Sequence, residues 1–204
     1  MAPDPRLRPM EPHGRYEDER WEAVDLAGLE AEGVELRDME LEKVELSGAR
    51  MARWSLRDTR LRECSLANLE APASEWIAVE LHGCRLTGLD LRDARGRHVL
   101  FADCRADLVS LRSARLEGAV FRDCLLTGAD LSGADLRGAR FERCDLTEVE
   151  LREARLEGAT LDGCRLAGVR SAAGLRGARM RWADILELAG ALAAAFDIEL
   201  IADD

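Results

Sequence analysis

From Leu26 to Leu166, 25 of the 29 residues taken at intervals of five are Leu, Phe, Met or Trp; the exceptions are Ala31, Ala71, Gly96 and Ala106. A 3.6-residue helix cannot hold every fifth side chain on one side, and neither can a two-residue strand alternation. No insertion breaks the phase over this stretch, so the backbone must turn once in every five residues. Two positions before each centre stands a small or medium apolar residue, as at Val24, Val34, Val44, Ala94, Ala114, Ala134 and Ala154. Two positions after it, glycine is concentrated: 12 of the 17 glycines occupy that slot. Glycine reaches positive φ at little steric cost, so this slot reads as a corner. The two remaining slots are mostly charged or polar and point outward.

The cysteines count the corners. All six, at Cys64, Cys84, Cys104, Cys124, Cys144 and Cys164, stand 20 residues apart in the small inward slot, and Phe101, Phe121 and Phe141 repeat the same interval in a centre slot. Twenty residues at five per side give four sides, with residues 20 apart stacked at the inter-strand spacing of about 4.8 Å. One coil cannot bury its own leucine column, so the coils must stack.

The segment Ala129-Asp130-Leu131-Ser132-Gly133-Ala134-Asp135-Leu136-Arg137-Gly138-Ala139-Arg140-Phe141 resembles the pentapeptide-repeat family, with its A-(D/N)-L-x-x motif. The resemblance covers roughly residues 21–171. It implies an all-β fold: a right-handed quadrilateral parallel β-helix of about seven coils, with a C-terminal α-helical cap. The chain departs from the motif where Arg or Glu replaces the usual Asp or Asn, as at Glu35, Arg95, Arg115 and Arg155.

The two ends differ from the repeat. Residues 1–16 hold four of the five prolines and are predicted to be a disordered arm. The solenoid is expected over 17–175. Beyond it, residues 176–204 carry Trp182, Ile185, Leu186, Ala189, Leu192 and Phe196 at helical spacing, which predicts an amphipathic helix of about four turns followed by a short Ile198–Ile201 strand. An open solenoid end exposes apolar cross-section and unpaired backbone, so this unit caps the stack, joins two copies, or does both. The resemblance favours a homodimer through the C-terminal ends, as in gyrase-binding members of the family; two stacks of seven coils would make a rod about 70 Å long.

Charge is unevenly placed. Of the net charge of −11, residues 17–49 contribute −9, while residues 50–170 hold 20 acids and 20 bases. That balance excludes a long basic track and argues against direct nucleic-acid binding. No run of 18 apolar residues and no basic segment followed by an apolar stretch occurs, so neither a membrane span nor a signal peptide is expected, and a cytoplasmic location is the default.

Catalysis and cofactors are not expected. His13, His82 and His98 are scattered, no glycine-rich phosphate loop is present, and a convex rod offers no cleft to desolvate paired carboxylates. The cysteine column lacks any C-x-x-C pair and is too linear for tetrahedral zinc, which leaves it as small buried apolar volume.

Two surface features remain as candidate partner-binding sites. The first is the acidic set Glu35, Asp38, Glu40, Glu42 and Glu45 near the N-terminal end; the second is Leu100, Val120 and Leu125, apolar residues in outward slots. The expected function is therefore a non-catalytic protein-interaction module. Resemblance to fluoroquinolone-resistance members suggests DNA gyrase as the partner, bound through mimicry of duplex DNA. The alternative is a structural scaffold or adaptor without a topoisomerase target.

Overall fold

The computed structural model describes residues 10–186 and 188–199. Eleven short strands form one parallel sheet wound into the solenoid: β1 (Arg15–Glu17), β2 (Arg20–Glu22), β3 (Glu35–Arg37), β4 (Glu40–Glu42), β5 (Ser55–Arg62), β6 (Glu75–His82), β7 (Arg95–Ala102), β8 (Val120–Arg122), β9 (Arg140–Glu142), β10 (Thr160–Asp162) and β11 (Arg179–Met180). Register confirms the 20-residue coil directly: Glu75 pairs with Arg95, Phe101 with Phe121 and Phe121 with Phe141. The result is a right-handed quadrilateral β-helix of about eight turns, one more than the sequence interval suggested.

The extra turn comes from both ends. At the N-terminus, Met10 is buried and β1 pairs with β3, while Tyr16 meets the Trp21 ring edge-on at 5.3 Å. Residues 10–16 thus belong to the first coil and not to a disordered arm; residues 1–9 lie outside the described residues. At the C-terminus, β11 is a last rung on β10, with Leu161 opposite Met180, so the solenoid runs past 175. The interval there is 19 residues because a 3-10 turn, Ala172–Leu175, replaces one regular side. Gly174 in that turn lies so close to the coil beneath that a Cβ would fall 2.3 Å from the Leu151 carbonyl oxygen.

Corners obey the five-residue rule more strictly than composition does. Every fifth residue from His13 to Gly168 has positive φ, from 48° at Asp58 to 73° at Gly158, whether or not it is glycine. The left-handed region costs a residue with a side chain about 1–2 kcal/mol, and Asp is the commonest non-glycine residue in these corners while no β-branched residue occupies one. Inter-coil hydrogen bonds offset that cost. Corner amides donate to the next coil, as Leu108 N does to Thr127 O at 3.0 Å, and outward amides donate to the previous one, as Asp130 N does to Val109 O at 2.9 Å.

Inside, the columns stack as their intervals require. The Phe101, Phe121 and Phe141 rings lie parallel within 3° at centroid spacings of 4.7 and 4.8 Å. All six thiols are free and buried, and each bonds backbone carbonyls, as Cys104 Sγ does to Ala102 O at 3.3 Å. Three of the four interruptions in the leucine pattern are compensations of volume. Ala71 precedes Trp76 by one side of the coil, Gly96 is stacked on Trp76, and Gly96 and Ala106 flank Phe101. At Gly96 a Cβ would stand 2.6 Å from Leu116 Cδ2, so the neighbouring side chains already occupy that space.

The terminal unit is two helices rather than one: α1 (Trp182–Leu186) and α2 (Ala189–Ala195), the latter against the 3-10 turn. The break redirects the apolar face. Leu188 and Ala193 are buried on the solenoid end with Ala191, Leu192 and Ala195 partly covered, whereas Trp182, Leu186, Ala189 and Phe196 are exposed and Ile185 is half-buried. Of the residues expected to cap the stack, only Leu192 and Ile185 turn toward cover. Ile198 is exposed and outside any strand, and Leu200 and Ile201 lie outside the described residues.

Candidate partner-binding surfaces

The outward slots are organised by one local hydrogen bond. An acid just before the centre residue accepts from the backbone N–H two residues on: Ala27 donates to Asp25, Ser47 to Glu45, Arg92 to Asp90, Ser132 to Asp130 and Thr147 to Asp145, at 2.8–3.0 Å. This gives the Asp-rich slot a structural purpose, since the turn amide is otherwise left to solvent. A chain of five-residue turns satisfied in this way, with Ala or Cys and then Leu or Phe inward, matches the family model for the pentapeptide repeat region over residues 74–151. The chain belongs to the pentapeptide-repeat family. Among solved structures of the family's fold it is similar to QnrB1, a plasmid-mediated fluoroquinolone resistance protein, with a TM-score of 0.58 and 17% identity over 94% of this chain and 93% of that one. It also matches HetL, a pentapeptide repeat protein involved in heterocyst differentiation regulation from the cyanobacterium Nostoc, at 22% identity over 82% and 90% of the two chains and a TM-score of 0.32. No curated protein matches the chain.

Against the family's plain repeat, the acidic end is a spread of carboxylates around the first coils. Glu35 and Glu40 are exposed, on different sides; Asp38 is the corner between them. Several are already engaged. Glu35 pairs with Arg15 at 3.1 Å and Glu42 with Arg20 at 2.6 Å. Glu45 is half-buried, and burial alone would raise its pKa; hydrogen bonds from Ser47 and Ser65, with the charge of Arg85, outweigh that and hold it below the ordinary carboxylate range.

Further along, ions of opposite sign are stacked coil on coil. Arg122 meets Glu142 at 2.9 Å, Arg143 meets Asp123 at 2.6 Å and Arg165 meets Asp145 at 3.4 Å. Each such exposed pair contributes only about 0–1 kcal/mol. Their larger effect is on the field. In the most acidic column, Glu30, Glu70, Asp90, Asp130 and Glu150 each have an arginine within 3.9 Å, namely Arg50 for the first two, then Arg92, Arg112 and Arg170.

The apolar candidates are placed as expected and partly brought together. Leu100 and Val120 are directly paired between β7 and β8 and half-buried, and Ala102 beside them is covered although its slot points outward. Leu125 is 45% exposed on the adjoining side, between Arg105 and Asp145. Sequence reading missed Leu108, a corner residue 64% exposed that leans toward Gly128. Its signal was present, since it is the one leucine in the corner slot.

Among the described residues, no helix is long and apolar enough to cross a membrane.

Proposed function

We propose that this pentapeptide-repeat protein is a non-catalytic protein-interaction rod that serves as a scaffold or adaptor. The neutralised surface carries the reading. Duplex DNA presents one negative charge per about 1.7 Å along its whole length, whereas here even the column richest in carboxylates is paired with arginine rung by rung. A partner that reads continuous anionic charge finds little to hold. The half-buried Leu100–Val120 strip and Leu125 offer instead a small apolar contact amid polar sides.

The second reading, a gyrase-binding DNA mimic, is favoured by the acidic first coils, −9 over residues 17–49, and by the fold shared with a fluoroquinolone resistance protein. One experiment separates the two. In a gyrase supercoiling assay with a quinolone, the scaffold reading expects little or no protection by the protein. Strong protection or inhibition at micromolar concentration would establish the mimic and overturn the scaffold.

A homodimer belongs to either reading. Four of the six large apolar side chains exposed among the described residues, Trp182, Leu186, Phe196 and Ile198, lie in the terminal unit, each 58–75% exposed. A second copy joined there would cover them and lengthen the rod. Leu186→Glu is then expected to halve the mass in gel filtration with light scattering; an unchanged mass removes the dimer.

A further inference from the structure

We propose that the side of the solenoid above Gly96 is a binding site for an oligophosphate anion, held by Arg95, Arg97 and Arg115. An open groove of about 1180 Å³ runs along this side, and these three arginines line it together with Arg137 and Arg155. Most arginines among the described residues are paired with a carboxylate, and these three are among those that are not. Elsewhere an arginine is commonly stacked on a carboxylate one coil away; here Arg95 and Arg115 are bridge partners on adjacent rungs, and Arg97 stands two residues from Arg95. Among the described residues, none of the three forms a salt bridge.

The nearby acids do not cancel them. Asp135 is taken by Arg137 at 2.7 Å and by Arg155 at 3.6 Å, and Glu117 by Arg137 at 3.7 Å. Glu75 is the register partner of Arg95 but makes no ion pair with it. His98 stands at a corner on the rim. Three like charges gathered at one place destabilise the folded chain slightly by mutual repulsion, and a bound anion relieves it.

The slots explain why the charges are free. Arg95 and Arg115 stand where Asp90 and Asp130 accept the turn amide in their repeats, so that local hydrogen bond is missing here, and Asp135, the bridge partner of Arg115, is engaged by Arg137 and Arg155 instead. Rungs about 4.8 Å apart set the spacing of the two arginines. Two linked phosphoryl groups span that separation with oxygens presented to each planar fork, whereas one carboxylate fills a single fork.

The test is calorimetric titration of the full chain at low ionic strength with pyrophosphate and tripolyphosphate. The expected result is saturable binding that is at least tenfold weaker in Arg95→Gln/Arg115→Gln, weakened also in Arg97→Gln, and lost at high salt. A control, Arg62→Gln/Arg85→Gln, removes the same charge at arginines outside the groove and is expected to bind within twofold of wild type. All are surface changes, and coincident thermal melts check that they fold. No saturable binding by wild type, or equal loss in the control, overturns the site. A hexaglutamate peptide that binds as tightly, with the same dependence on Arg95 and Arg115, overturns the assignment to phosphate.

Discussion

Removal of Asp130 alone is expected to abolish the native fold, while removal of residues 111–130 as a block leaves a folded chain one turn shorter. The contrast follows from how the coils bond. Through the body of the solenoid, corner amides reach carbonyls 19 residues ahead and outward amides reach carbonyls 21 residues behind, so the contacts there assume an unbroken count of twenty. Deleting one residue moves Leu131, Leu136 and Phe141 out of the centre slot and carries the charged Arg137 and Arg140 one step toward inward or corner positions. Placing a charge in the column without a partner costs several kcal/mol, and the error repeats at every later side.

Deleting the block keeps every slot. Ser110 and Asp130 occupy the same position in successive coils, so Leu131 follows Ser110 as Leu111 did, and Phe101 stacks on Phe141. Such tolerance is the signature of a chain whose repeats touch only their neighbours. Far-ultraviolet circular dichroism and thermal melting decide it. A one-residue deletion that melts cooperatively within a few degrees of wild type would refute the strict register, and so would an unfolded block deletion.

Much of this architecture was legible because, in a solenoid, separation along the chain and separation in space are the same measure. Cysteines at intervals of twenty had to stack, and they do. The first coil was legible too: Tyr16 stands in phase with Trp21 and Leu26, and His13 in phase with the later corners, but the prolines drew the boundary past them. The last rung was hidden by a true slip, since the 3-10 turn shortens that coil to 19 residues and moves Met180 off the count of five. The terminal helix was misread for a different reason. Helical spacing from Trp182 to Phe196 supposes one axis, and the turn at Leu188 separates two helices.

The surface was less legible than the core. Arg95 and Arg115 are visible in the sequence as departures from the motif, but their lack of partners depends on side chains two and twenty residues away, each of which has several choices. Arg137 could have met Glu157 and instead engages Asp135 and Glu117. Inward slots have one neighbour above and one below; outward slots have competing ones.

Phe121→Ala is expected to cost about 3–5 kcal/mol, the range for emptying a fully buried aromatic site. Phe121 is 2% exposed and stacked between Phe101 and Phe141, which are 4.7 and 4.8 Å away. Neither neighbour can close the gap, because its own coil is held at the strand spacing by backbone hydrogen bonds on all four sides, such as Asp123 N to Glu142 O and Leu125 N to Cys104 O. The cavity therefore persists. Phe121→Leu should cost much less, about 1–2 kcal/mol, since Leu fills the same slot at Leu81 and Leu161 in this very column. Urea unfolding measures both, and hydrogen exchange should place the loosening in the coils on either side of residue 121 rather than at the ends. If Phe121→Ala lay within about 1 kcal/mol of wild type, the aromatic stack would be ornament on a core that leucine packing alone sustains, and the vertical column would lose its claim to hold the middle of the rod together.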